Sequence, residues 1–133
     1  MKSLIVEDDF VSRALIQGFL IKFGTCHIAA NGKEGVEAVT AALEAGKPYD
    51  LIALDIMMPE LDGHATLAQI RQVELLHGRT GDLGARVVIT TALTDQASIM
   101  DALRSEVDAY MVKPIVRNTF LDKLKEIGLI NNL

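Results

Sequence analysis

Leu51-Ile52-Ala53-Leu54, closed by Asp55, is the stretch that decides how this chain folds. Four apolar residues in a row leave no polar alternate to face water, so the segment reads as a strand covered on both faces, as in a parallel sheet. Similar short runs recur at Lys2 to Val6, Cys26 to Ala29, Arg86 to Thr90 and Ala109 to Val112. Segments of helical period separate them, and this βα rhythm, repeated five times, predicts an α/β fold of parallel strands joined by crossover helices.

The helices carry end signals. Asn31 followed by Glu34 resembles a capping box, and Gly24, Gly46 and Gly78 stand where left-handed stops belong. Thr94 or Asp95, and Asn118, are expected to cap the last two helices. Val36, Val39 and Leu43 share one face of the second helix, as do Phe120, Leu124 and Ile127 in the fifth; both are read as core stripes. The first helix is apolar on two faces, with Leu15, Ile16, Phe19 and Phe23 expected in the core and Val11, Ala14, Gly18 and Ile21 on a second stripe. His77 to Ala85, rich in Gly and polar residues, reads as a longer flexible loop.

At 133 residues, half of them hydrophobic, the chain has material for one core and no room for a second domain, so residues 1–133 are expected to form a single domain. The net charge of -5, with 13 Lys and Arg scattered along the chain, gives no basic field and argues against direct nucleic-acid binding. Cys26 is the sole cysteine, read as a small packed residue in a reducing compartment. No apolar stretch approaches the roughly 18 residues that a membrane span requires, and the N-terminus has no signal-peptide pattern. A cytoplasmic protein without membrane contact is expected.

Right-handed crossovers place the C-terminal ends of all parallel strands at one edge of a sheet, where ligands of open α/β folds bind. Strand one ends in Glu7-Asp8-Asp9, strand three in Asp55, strand four in Thr90-Thr91 and strand five in Lys113-Pro114. Taken singly, each has a bland reading: Asp9 or Asp8 as a helix cap, Asp55 as a loop acid, Lys113 as a solvated lysine, Thr91 as a β-branched residue. Together they say more. If strands one and three are neighbours, Glu7, Asp8 and Asp55 converge and repel one another, and a divalent cation relieves the repulsion. A donor set of oxygens alone favours magnesium, with manganese as a substitute, and disfavours zinc. A carboxylate beside such an ion, a lysine and a hydroxyl suits the acceptance of a phosphoryl group, with Asp55 as nucleophile.

These residues resemble a known family. Leu4 to Asp9, then Leu54-Asp55-Ile56-Met57-Met58-Pro59-Glu60-Leu61-Asp62-Gly63, Thr91-Ala92, and Tyr110-Met111-Val112-Lys113-Pro114 are similar to the response-regulator receiver domain, over essentially the whole chain. The resemblance implies a flavodoxin-like, doubly wound (βα)5 sandwich with strand order 2-1-3-4-5; the family's chemotaxis member is itself a standard example of that order. It implies that Asp55 is phosphorylated, Asp8 binds the metal directly, Glu7 acts through metal-bound water, and the Met57 carbonyl supplies a further ligand. Lys113 would grip the phosphoryl oxygens, aimed by a cis peptide before Pro114. Thr91 and Tyr110 would switch, changing the face made by the fourth helix, fifth strand and fifth helix.

The implied partners are a sensor histidine kinase or histidine phosphotransfer protein and a downstream protein target, with a phosphorylation-dependent dimer left open. The second stripe of the first helix could dock a histidine-bearing helix or pair two copies. Two positions depart from the family pattern: Glu106 where many relatives carry Gly, and Ile115 where an aromatic is usual. Met57 and Leu93, two residues beyond Asp55 and Thr91, are apolar and cannot orient an attacking water, so slow self-hydrolysis is expected. Three other readings stand beside this one: a relay carrier, a magnesium phosphohydrolase, and a pseudo-receiver that switches without phosphate. The phosphohydrolase is disfavoured because Met57 replaces its second acid. His27, His64 and His77 lie on separate segments and are read as surface residues.

Overall fold

The computed structural model describes residues 1–56, 62–91 and 107–131. Five parallel strands form one sheet: β1 (Ser3–Val6), β2 (Cys26–Ala29), β3 (Leu51–Asp55), β4 (Arg86–Thr91) and β5 (Ala109–Val112), in the order β2-β1-β3-β4-β5. Four α-helices are described, α1 (Phe10–Leu20), α2 (Gly32–Glu44), α3 (Gly63–Leu76) and α4 (Arg117–Glu126). Short 3-10 turns at Ile21–Phe23 and Gly81–Leu83 complete the elements. The fold class read from the sequence is therefore the observed one. The helix expected between strands four and five, with its caps at Thr94 or Asp95 and the departure at Glu106, lies outside the described residues.

Side chains alternate along each strand into two cores, as the strand period requires. Leu4, Val6, Ile52, Leu54, Val87 and Ile89 face one way and meet Val39, Ala42, Leu67 and Ile70 of α2 and α3. Ile5, Leu51, Ala53 and Val88 face the other way and meet Ile16 and Leu20 of α1 and Phe120 and Leu124 of α4. This double burial is why the strands read as uninterrupted apolar runs.

Most local signals hold. The Asn31 side chain accepts from the Glu34 backbone N–H at 2.9 Å, and the Glu34 carboxylate reaches back to the Ala30 N–H at 3.4 Å. Gly46 and Gly78 take left-handed φ values of 71° and 70°. Gly24 differs: at φ 138° and ψ -160° it closes the 3-10 turn rather than α1 itself. A Cβ there would stand 2.1 Å from the Met1 carbonyl oxygen, so close approach of the chain start demands the glycine.

Three other expectations need correction. Ile16, Phe19 and Phe23 pack on the core as expected, but Leu15 is 43% exposed and Leu20 takes the buried place beside Ile16. Asn118 does not cap the last helix. The chain turns helical at Arg117, Val116 occupies the cap without a side-chain bond, and the Phe120 N–H donates to the Val116 carbonyl at 2.9 Å. The 77–85 connection is also less loose than its composition suggests. Its end is tied to α3, because the Ala85 N–H donates to Glu74 Oε2 at 2.7 Å and Arg71 Nη1 donates to the Ala85 carbonyl at 2.9 Å.

Candidate functional site

The C-terminal ends of β1, β3, β4 and β5 meet at one edge because parallel pairing sets Val6 beside Leu54, Asp55 beside Thr90, and Thr91 beside Val112. The residue after each strand end is thereby delivered to a common point. Glu7 and Asp55 are buried there and Asp8 is exposed, and one carboxylate oxygen from each lies within 4.8 Å of the other two. Lys113, just after β5, brings its Nζ to 2.6 Å from Glu7 Oε1 and 3.4 Å from Asp55 Oδ2. The Glu7 contact is a close ion pair, and among the described residues Oε1 has no other polar partner.

Backbone bonds hold these groups in place. The Lys113 N–H donates to the Thr91 carbonyl at 2.6 Å, the Glu7 N–H to Ala29, and the Ile56 N–H to Thr90. The Lys113–Pro114 peptide is cis, as the resemblance implied. Asp9 caps α1, accepting from the Ser12 N–H at 2.9 Å, while its own N–H donates to Glu7 Oε2 at 3.1 Å. That cap bond holds the Asp9 carboxyl below its ordinary value. Asp9 is therefore the bland capping acid, leaving Asp8 exposed beside the site.

Three acids gathered with one ammonium shift the protonation of the site. Burial, and then the neighbouring Asp55 side chain, push Glu7 up to about 7 from an ordinary 4.5, against the opposing pull of Lys113. Burial alone would lower Lys113, yet Glu7 and Asp55 outweigh it and hold the ammonium above its ordinary value. The arrangement is short of positive charge, as a cation-binding acidic centre should be.

Thr91 is buried at the end of β4, and Tyr110 on β5 is half-exposed, beside a cavity of about 310 Å3 that Met111, Val116 and Thr119 also line. Met57 and Leu93 lie outside the described residues. His27, His64 and His77 are all exposed, although His27 Nδ1 lies 2.6 Å from the Tyr49 hydroxyl.

Two supports of the site are absent from the residue-type reasoning. Gly63 packs against the end of β3 so closely that a Cβ would stand 2.4 Å from the Ile56 Cα and 2.6 Å from the Asp55 carbonyl oxygen. Asp62 caps α3 by accepting from the Ala65 N–H at 2.8 Å, and an Asp-Gly pair opening a helical period is the signal that could have exposed both. Arg13 Nη1 lies 3.4 Å from the Glu7 carbonyl oxygen, a contact with no sequence signature.

A family model described as the response regulator receiver domain matches residues 3–125. The chemotaxis protein CheY of Listeria monocytogenes is 32% identical over 126 residues, covering 95% of this chain and 97% of that protein. A segment of the osmosensing histidine protein kinase SLN1 of Saccharomyces cerevisiae is 31% identical over 131 residues, which is 96% of this chain and 10% of that kinase. Among solved structures, the receiver domain of the Arabidopsis thaliana histidine kinase CKI1, complexed with Mg2+ and BeF3-, superimposes with a TM-score of 0.80 at 28% identity, covering 95% of this chain and 88% of that one. The CheX-CheY-BeF3-Mg complex of Borrelia burgdorferi gives 0.79 at 26% identity, covering 96% and 88%.

Proposed function

Because the chain belongs to the response regulator receiver domain family of two-component signalling, we propose that residues 1–133 act as one phosphoacceptor domain, with Asp55 as the residue that takes the phosphoryl group. The observation that supports this most is the convergence of Glu7, Asp8 and Asp55 within 4.8 Å, with the Lys113 ammonium 3.4 Å from Asp55.

The donor set fits a hard divalent cation: three carboxylates and no thiol or imidazole, with an excess of negative charge already expressed in the raised Glu7. Asp8 and Asp55 would bind Mg2+ directly, Glu7 through water, and the Met57 carbonyl, outside the described residues, would complete the set; Mn2+ would substitute. When bound, the ion supplies positive charge against the clustered carboxylates and the transferring oxygens.

An Asp55 oxygen attacks the phosphorus of a phosphohistidine on a partner. The new O–P bond forms as the P–N bond breaks, and the imidazole leaves. Lys113 pairs with the transferred oxygens, which draws its ammonium from Glu7. The Thr91 hydroxyl turns toward the phosphoryl group, and the Tyr110 ring moves into the space that opens, altering the surface around β5 and α4. The chain is thus no turnover enzyme: it catalyses its own phosphorylation and a slow dephosphorylation, slow because Met57 and Leu93 offer no group to orient water.

The donor is a sensor histidine kinase or histidine phosphotransfer protein, and the phosphorylated face engages a protein target in the cytoplasm. Phe10 and Val11, at the start of α1 beside the acidic site, and Ile21, just past its far end, are 71%, 64% and 64% exposed, an apolar stripe along the helix that suits docking of a histidine-bearing helix. A relay carrier that passes the group to a second histidine protein is the other reading. The likeness to segments of histidine kinases favours it.

Labelled phosphotransfer from a phosphorylated histidine protein tests the proposal. The label moves to the chain, fails to move to Asp55→Asn, and on addition of a second histidine protein moves onward only if the relay reading holds. Transfer undiminished in Asp55→Asn would refute the assignment.

A further inference from the structure

At the opposite edge of the sheet from the acidic cluster lies a cavity of about 550 Å3, between the end of α3, the 77–85 connection, and the starts of β4 and β5. Arg86 opens β4 on its wall and Thr91 closes the same strand at the acidic edge, so roughly 16 Å of strand separates the two places.

Three guanidinium groups line this cavity. Arg71 Nη1 pairs with Glu74 Oε1 at 2.6 Å, and Arg86 Nη1 with Asp108 Oδ1 at 3.5 Å. Both acids are also committed to the backbone: Glu74 Oε2 accepts from the Ala85 N–H at 2.7 Å, and Asp108 Oδ2 from the Val87 N–H at 2.8 Å. The two carboxylates therefore offset two of the three positive charges. The third belongs to Arg79, which among the described residues makes no ion pair and has no hydrogen-bond partner for its buried Nε.

The fold fixes where that guanidinium starts. After α3 the left-handed Gly78 turns the chain, and the Arg79 N–H donates to the Glu74 carbonyl at 2.8 Å, locking the Arg79 backbone over the last turn. Gly84 lets the connection close over the Arg71–Glu74 pair, since a Cβ there would stand 3.0 Å from Glu74 Oε1. A guanidinium with no anionic partner among the described residues is left to pair with a ligand, and its fork matches carboxylate and phosphate best. Gln72 and Thr80 add an amide and a hydroxyl on the same wall. On a chain of net charge -5, general attraction does not gather anions, so only a built site would hold one.

We propose that this cavity binds a small molecule through a phosphate or carboxylate group, held by Arg79. The site is separate from Asp55 and does not depend on the role given to that residue.

The test is a nuclear magnetic resonance titration of the full chain, without magnesium, using inorganic phosphate and, separately, citrate at constant ionic strength. The expected result is a saturable shift of the Arg79 Nε–H and of the amides of Thr80, Ala85 and Arg86, with Glu7, Asp8 and Asp55 unmoved. Saturation by phosphate alone assigns phosphate groups and saturation by citrate alone assigns carboxylates; either supports the site. Arg79→Gln should weaken the midpoint about ten-fold and Arg79→Lys, which keeps charge but loses the fork, less so. Lys22→Gln, an exposed change elsewhere, should leave it unaltered. Shifts that never saturate, or a midpoint unchanged in Arg79→Gln, would overturn the proposal. If Arg79→Gln fails to fold, Arg79→Lys decides in the same way: a weaker midpoint supports the site and an unchanged one removes it.

Discussion

Glu7 makes the sharpest statement a single residue makes here. Its carboxyl is buried and pushed up to about 7 from 4.5, so between those values the folded chain holds a proton that the unfolded chain has released. Its contribution to stability is complete below pH 4.5 and is lost as pH rises through about 7. With no metal present, urea unfolding at pH 5 and pH 8 should show the wild type losing on the order of 3 kcal/mol at most relative to Glu7→Gln. If the two respond alike to pH, the raised Glu7 is wrong. Adding Mg2+ at pH 8 should restore part of the loss to the wild type and less to Glu7→Gln, because the ion favours the ionised carboxylate. Asp8, Asp55, Thr91 and Lys113 were legible as a group, since polar residues closing apolar strands have no role in a core. The supports of Glu7 were not, because an Arg13 contact to a backbone oxygen leaves no pattern in the sequence.

Among elements, the junction of β3 and α3 and the exposed side of α1 lead to separate tests. Gly63→Ala places a methyl against the Asp55 carbonyl and the Ile56 backbone, so the end of β3 must shift. Phosphorylation by a small donor should slow markedly while the sheet persists by circular dichroism; an unchanged rate would show that this packing does not position Asp55. Changing Val11 and Ile21 to Ser should slow phosphotransfer from a histidine protein yet leave phosphorylation by acetyl phosphate intact. Equal effects on both would remove the docking role. The α1 stripe also shows a limit of periodicity: both faces are apolar, so the pattern alone did not say that Leu20, rather than Leu15, turns inward. Asn118 shows another, because a residue suited to capping does not cap when the chain is already helical one residue earlier.

For the whole molecule, the βα rhythm and the double-sided burial were plain from apolar runs, while the order 2-1-3-4-5 came from family resemblance, since period and spacing do not say which strands pair. The order matters because it sets β1 against β3, without which Glu7, Asp8 and Asp55 would not meet. One core is closed by α4, where Phe120 is fully buried among the side chains of β1, β3, β4 and β5. Phe120→Ala should cost about 3–5 kcal/mol in denaturant unfolding, and a cost below about 1 kcal/mol would mean that α4 is not integral to that core. The cavity around Arg79 was invisible in the sequence, because its arginines come from three separate segments that composition reads as scattered charge. The most direct test of the central claim is the intact mass of the purified chain after incubation with Mg2+ and acetyl phosphate. The account predicts addition of one phosphoryl group, abolished by chelator and by Asp55→Asn; an adduct that persists in Asp55→Asn, or none in the wild type, would contradict it.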